Sequence, residues 1–137
     1  MKILVIDGQG GRLGKELVSS IKTNFPEADI LAIGTNSIAT SIMLKAGANE
    51  AATGENPVVV GTEKADIIVG PIGIVIPDSL LGEVTEKMAL AVCRSKAPRV
   101  LIPMNKCDNL IAGVNAQSMG DLIDDAILKI KKVINDK

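Results

Sequence analysis

The chain has 137 residues, 47% hydrophobic and 23% charged, with a formal net charge of −1. Fifteen basic against 16 acidic residues leave no electrostatic footprint for nucleic acid or an anionic membrane, and the length fits a single domain spanning residues 1–137. There is no His, Trp or Tyr, which excludes histidine acid–base chemistry, Ser-His-Asp triads, histidine metal ligands and the tyrosine acid of short-chain dehydrogenases.

Strands and helices alternate along the chain. Residues 2–7 read as a buried strand, and Leu13, Leu17, Val18 and Ile21 then recur at helical spacing. Phe25-Pro26 ends that helix, because proline disfavours helical geometry in the residue before it. Residues 29–33 predict a second strand. Ser37 reads as the N-cap of a helix with Ile38, Ile42 and Met43 on one face, stopped by Gly47. A short third strand is expected near residues 49–52.

The Pro57-Val58-Val59-Val60 segment fits either a strand or a turn of helix. Residues 66–69 predict an apolar strand, followed by the turn Gly70-Pro71-Ile72-Gly73 and an extended piece over residues 74–76. Pro77-Asp78-Ser79 reads as the opening of a helix bearing Leu81, Val84, Met88 and Val92, with Cys93 in the core. A buried strand follows at residues 100–103. Residues 110–114 form a further expected strand, and the connection is too short for a parallel crossover, which predicts an antiparallel edge. Ser118 caps a closing helix with Leu122, Ile123, Ala126, Ile127, Ile130, Val133 and Ile134 on one face.

Near-continuous apolar strands between amphipathic helices predict an α/β fold. The expectation is a three-layer, Rossmann-like, doubly wound, mostly parallel sheet with a C-terminal antiparallel edge strand and a closing helix. Ligands of such sheets bind at the carboxyl ends of the strands. That gathers the loops after residues 7, 34, 53, 70 and 103.

The first of these loops, Gly8-Gln9-Gly10-Gly11-Arg12-Leu13-Gly14, carries the chemistry. Glycines let a strand turn sharply into a helix whose first amides point at an anion. The plainer alternative is that these glycines only make a tight turn. The usual dinucleotide spacing would need glycine where Leu13 stands.

An acid at the end of the second strand would hold an adenosine ribose and indicate NAD. Instead, Thr35, Asn36 and Ser37 follow Gly34, small polar groups suited to a 2′-phosphate with Arg12 nearby. NADP(H) is therefore the expected cofactor; the spacing of glycines 8, 11 and 14 resembles that of extended short-chain dehydrogenases, and the resemblance implies that Gly70, Pro71, Ile72 and Gly73 lie beneath its nicotinamide half. Alternatively, residues 35–37 cap a helix and residues 70–73 end a strand.

A second reading is a small enzyme using Lys106, Cys107 or Asp7, since a thiolate near a lysine is activated. A third is a non-catalytic interaction module. The longest apolar run, residues 67–77, is broken by glycine and proline and too short to span a bilayer. The N-terminus shows no signal-peptide pattern, and two cysteines without metal spacing suit a reducing cytoplasm. The expected partner is a small-molecule nucleotide, without nucleic acid or membrane, and the apolar closing helix points to a homodimer.

Residues 8–14 resemble the phosphate loop of dihydrodipicolinate reductase, which also carries Gly-Gly-Arg, an apolar residue and Gly. The resemblance implies phosphate binding at that loop and nothing further, since the chain lacks that enzyme's substrate domain and histidine motif. Over nearly its whole length the chain resembles a family of small bacterial proteins described as a domain of unknown function. Val5-Ile6-Asp7-Gly8-Gln9-Gly10-Gly11, residues 34–40, 52–56 and 66–74, and Leu101-Ile102-Pro103 carry that resemblance. It implies no activity or site residue.

Overall fold

The structure, a computed structural model, describes residues 1–104 and 109–137. The opening strand β1 (Lys2–Asp7) sends Ile3 and Val5 to one face of the sheet and Leu4 and Ile6 to the other, all buried. A strand apolar on both faces must be covered on both. The rest of the chain supplies the two covers.

Helix α1 (Arg12–Asn24) leads to β2 (Asp29–Gly34), α2 (Ser37–Lys45) and β3 (Glu50–Thr53) on one side of β1. Helix α3 (Glu55–Lys64) then crosses to β4 (Ile67–Pro71), which flanks β1 on the other side and is followed by α4 (Glu86–Arg94) and β5 (Arg99–Ile102). The five strands lie in the order β3-β2-β1-β4-β5, every pair parallel. The winding reverses at β1, so the carboxyl ends of β1, β2 and β4 border the crevice where such sheets bind ligands.

Leu17, Val18 and Ile21 of α1, Met43 of α2 and Ile123, Ala126 and Ile130 of α5 (Met119–Asn135) cover the first face. Val58 of α3 and Met88, Ala89 and Val92 of α4 cover the second. The apolar stripe of α5 is thus largely used against β5 and α1, inside the molecule. Among the described residues no helix is long and apolar enough to cross a membrane.

The three-layer, doubly wound, Rossmann-like expectation holds, with several local corrections. Residues 110–114 form no antiparallel edge strand and turn at residues 112–113, so the described sheet is wholly parallel; Gly113 at φ 84° breaks the extended run. The 57–60 segment lies in α3. Asn36, not Ser37, caps α2, its side-chain oxygen accepting the Ala39 N–H at 2.9 Å. On α2 the inward positions are Ala39 and Met43, while Ile38 is 64% exposed.

The largest correction lies after β4. Residues 72–75 form a 3-10 turn, so the extended piece expected over residues 74–76 is not formed at 74 and 75, and α4 starts only at Glu86, capped by Thr85, whose Oγ1 accepts from the Met88 N–H at 3.1 Å. Between them residues 76–84 make a strap in which Asp78, Leu80 and Leu81 have φ of 66°, 55° and 58° and Gly82 88°. Leu80, Leu81 and Gly82 are therefore a left-handed turn. It buries Leu80 and leaves Leu81 94% exposed, the reverse of what a helix over these residues would do. Cys93 is exposed on α4 rather than in the core.

Candidate functional site

The glycine loop rests on a carboxylate beneath it. Asp7, at the end of β1 and 2% exposed, accepts the Gly14 N–H on Oδ2 at 2.6 Å. Burial raises the Asp7 pKa, and amide bonds from Gly14 and Gly8 offset part of that rise. This side chain is committed to holding the loop. Asp7 also lines the cavity under the loop; the other two residues of the enzymatic reading, Lys106 and Cys107, lie outside the described residues.

The glycine spacing has a packing cause. A Cβ on Gly8 would stand 2.3 Å from Thr35 Oγ1, one on Gly11 2.8 Å from Ala39 Cα, and one on Gly14 2.6 Å from Met43 Sδ. Gly11 also sits at φ 74°, where glycine costs least. Glycines 8, 11 and 14 thus let β1, α1 and α2 approach one another. Of the four glycines in this loop, Gly10 alone has open space around it.

The backbone donors of the loop can be accounted for one by one. The Gly8 and Gly14 amides serve Asp7, the Gly11 N–H donates to the Gly8 carbonyl at 2.9 Å, and the Gln9 N–H donates to Glu83 Oε1 at 2.8 Å. The amides of Gly10, Arg12 and Leu13 have no acceptor among the described residues. Arg12 and Leu13 are the first two residues of α1, where a helix offers unpaired N–H groups. A cavity of about 180 Å³ is lined by residues 7–13 with Met104 and Met119. Arg12 is exposed at its edge and makes no ion pair among the described residues.

The other expected residues divide. Thr35 and Asn36 stand beside the loop, and the Asn36 Nδ2 donates to the Gln9 carbonyl at 2.9 Å. Ser37 is exposed at the start of α2. Gly70, Pro71 and Gly73 are buried, with Ile72 partly so, and none of them lines the cavity. A Cβ on Gly70 would lie 2.4 Å from the Ile6 carbonyl oxygen, so that glycine serves the close approach of β4 to β1.

Sequence reasoning missed Glu83. From the strap its Oε1 accepts from the Gln9 N–H at 2.8 Å, the Thr35 hydroxyl at 2.6 Å and the Asn36 amide at 2.8 Å. Burial pushes its pKa up, but the bonds from Thr35, Gln9 and Asn36 outweigh it, and the net direction is down. A carboxylate therefore does stand at the end of β2, delivered by a distant loop. The only sequence signal was an acid next to Gly82 in a segment that reads as helix.

A larger groove of about 350 Å³ lies between α3 and α4, lined by residues including Val59, Glu63, Lys87 and Arg94. Its lining residues belong to those two helices or adjoin them, and no strand end opens into it. Among the described residues no group of three or more His, Cys, Asp or Glu side chains could hold a metal ion.

A doubly wound parallel sheet with its glycine turn and unpaired amides at the reversal point defines a Rossmann-like α/β domain. The chain belongs to the family described as Domain of unknown function (DUF3842), whose model matches residues 2–135. No curated protein matches its sequence. Among solved structures it is similar to a dodecameric FMN-dependent UbiX-like decarboxylase from Escherichia coli O157:H7. That likeness has 15% identity and a TM-score of 0.46, covering 97% of this chain and 76% of that one.

Proposed function

We propose that the protein binds a phosphate-bearing nucleotide, with a phosphate held by the Gly10, Arg12 and Leu13 amides and the Arg12 guanidinium. The observation that carries this reading is the set of three amides without acceptors among the described residues, beside one cavity at the N-terminus of α1. The glycine count does not carry it, since packing accounts for glycines 8, 11 and 14. A cavity of about 180 Å³ suits a phosphate and its immediate neighbours; a whole dinucleotide would run on across the strand ends. Asp7 beneath the loop opposes an anion, but burial favours its neutral form and two amides blunt its charge.

The ligand expected from the sequence was NADP(H), with its 2′-phosphate at residues 35–37. Thr35 and Asn36 already donate to Glu83, which supports a different sugar end. The protein acts as a nucleotide sensor or as a subunit that lends its nucleotide to a partner.

Thermal-shift assays with NADH, NADPH, ADP and FMN test the reading. A ligand at 100 times its Kd adds about 2.7 kcal/mol to stability. Gly10→Asp and Arg12→Ala should abolish the shift while the far-ultraviolet circular dichroism stays unchanged, because Gly10 has room and Arg12 is exposed. The absence of any shift, or one that survives both substitutions, sinks the site. Gly11→Asp is unsuitable, since its side chain would strike α2.

A further inference from the structure

We infer that Glu83 sets the sugar chemistry of this site: it admits a nucleotide with a free ribose 2′-hydroxyl and turns away one that carries a 2′-phosphate. The inference rests on the nucleotide reading and narrows it.

Of the donors expected to hold a 2′-phosphate after β2, the Thr35 hydroxyl and the Asn36 amide both point at Glu83 Oε1, with the Gln9 N–H as a third, while Ser37 is exposed at the start of α2. The second oxygen, Oε2, has no partner among the described residues, and the side chain is partly exposed. One oxygen is thus fixed in place by three bonds while the other remains available. An ionised carboxylate only accepts hydrogen bonds, so the group that meets it has to donate. A ribose hydroxyl does so; a phosphate brings a second negative charge.

Glu83 forms no ion pair among the described residues, so none of their cations masks its charge. Dinucleotide folds commonly place an acid at the end of the second strand for the ribose. Here Thr35 occupies that position, and the carboxylate reaches it from 48 residues further along the chain. Function and fastening share one side chain.

The test uses two ligand pairs that each differ by one group, on the full chain and by titration calorimetry. NADH against NADPH reads the 2′-phosphate, and ADP against 2′-deoxy-ADP reads the hydroxyl. The wild type should bind NADH and ADP roughly tenfold or more tighter than their counterparts, the scale of a hydrogen bond to a charged group. Glu83→Gln keeps an oxygen for Thr35 and Asn36 but removes the charge, and should bring the NADH/NADPH ratio close to one through a gain for NADPH. Thr35→Val leaves the carboxylate in place and should keep the preference for NADH.

Two results overturn the inference: a ratio that Glu83→Gln does not move, whether or not both dinucleotides gain equally, or no loss on removing the 2′-hydroxyl. The equal gain would mean that Glu83 merely blocks the crevice. If no nucleotide binds the wild type, the nucleotide reading itself falls; if binding depends on Gly10 and Arg12 but ignores Glu83, only this inference does.

Discussion

Glu83 and Thr35, 48 residues apart, meet through a 2.6 Å hydrogen bond that fastens the strap after β4 to the end of β2. The same carboxylate oxygen reaches the glycine loop at the Gln9 amide, so one atom ties three loops together. Glu83→Ala should therefore lower stability by about 1–2 kcal/mol, the partial exposure of the group holding the loss below that of fully buried charged bonds. Glu83→Gln should cost less than half as much. Urea midpoints at constant m-value measure both, and equal losses would show that a neutral amide oxygen cannot replace the carboxylate in the fastening.

The two carboxylates at the site respond to acid with opposite signs. The folded-state pKa of Glu83 lies below its ordinary value, so its stabilisation is complete above that value and is lost as pH falls through the folded pKa. Asp7 has a raised pKa, so its charge opposes folding above the folded pKa, and that cost disappears as pH falls below the ordinary aspartate value. Urea midpoints followed from about pH 7 to about pH 4 should decline less steeply in Glu83→Gln than in the wild type. In Asp7→Asn the decline should be steeper. Parallel curves for the three proteins would refute both assignments.

Leu81 holds a left-handed backbone at φ 58° while its side chain is 94% exposed. A non-glycine residue in this region costs roughly 1–2 kcal/mol, and here no burial offsets it. Leu81→Gly should stabilise the protein by about 1 kcal/mol after the added freedom of the unfolded chain is counted. A lower melting temperature in the variant would mean that the Leu81 side chain makes a contact that its exposure conceals.

Two glycines that look alike in sequence should differ sharply on substitution. An alanine Cβ at Gly70 meets the Ile6 carbonyl oxygen at 2.4 Å, a backbone atom held in the sheet, and about 3 kcal/mol should be lost. Gly10→Ala should stay within about 0.5 kcal/mol of the wild type, because nothing lies within 4 Å. Similar values for the two would show that β4 moves aside at little cost.

The sheet was readable because β1, β2 and β4 are apolar on both faces, a pattern with few solutions other than a covered parallel sheet. The same reasoning failed at residues 76–84. Leu81, Val84, Met88 and Val92 keep helical spacing, but tertiary contacts of Leu80 and Glu83 hold the strap in left-handed turns that periodicity cannot register. Gly82 was the available warning. The site was half legible for a related reason. The loop at residues 8–14 announces itself through local spacing, whereas the acid that completes it comes from another part of the chain. The missing acid after β2 pointed to NADP(H), although Glu83 stands beside Thr35 in space.

The position of β1 between β2 and β4 also has a kinetic side. The glycine loop follows the first strand of this chain, yet its Gln9 amide and the Thr35 and Asn36 side chains find their common acceptor only when residue 83 has been synthesised and β4 has docked. Contacts across such sequence separations form slowly, because the intervening chain must first be ordered. Assembly of the crevice is therefore a late event in folding. A nascent chain would have its first three strands synthesised well before residue 83 could tie the loops beside them together.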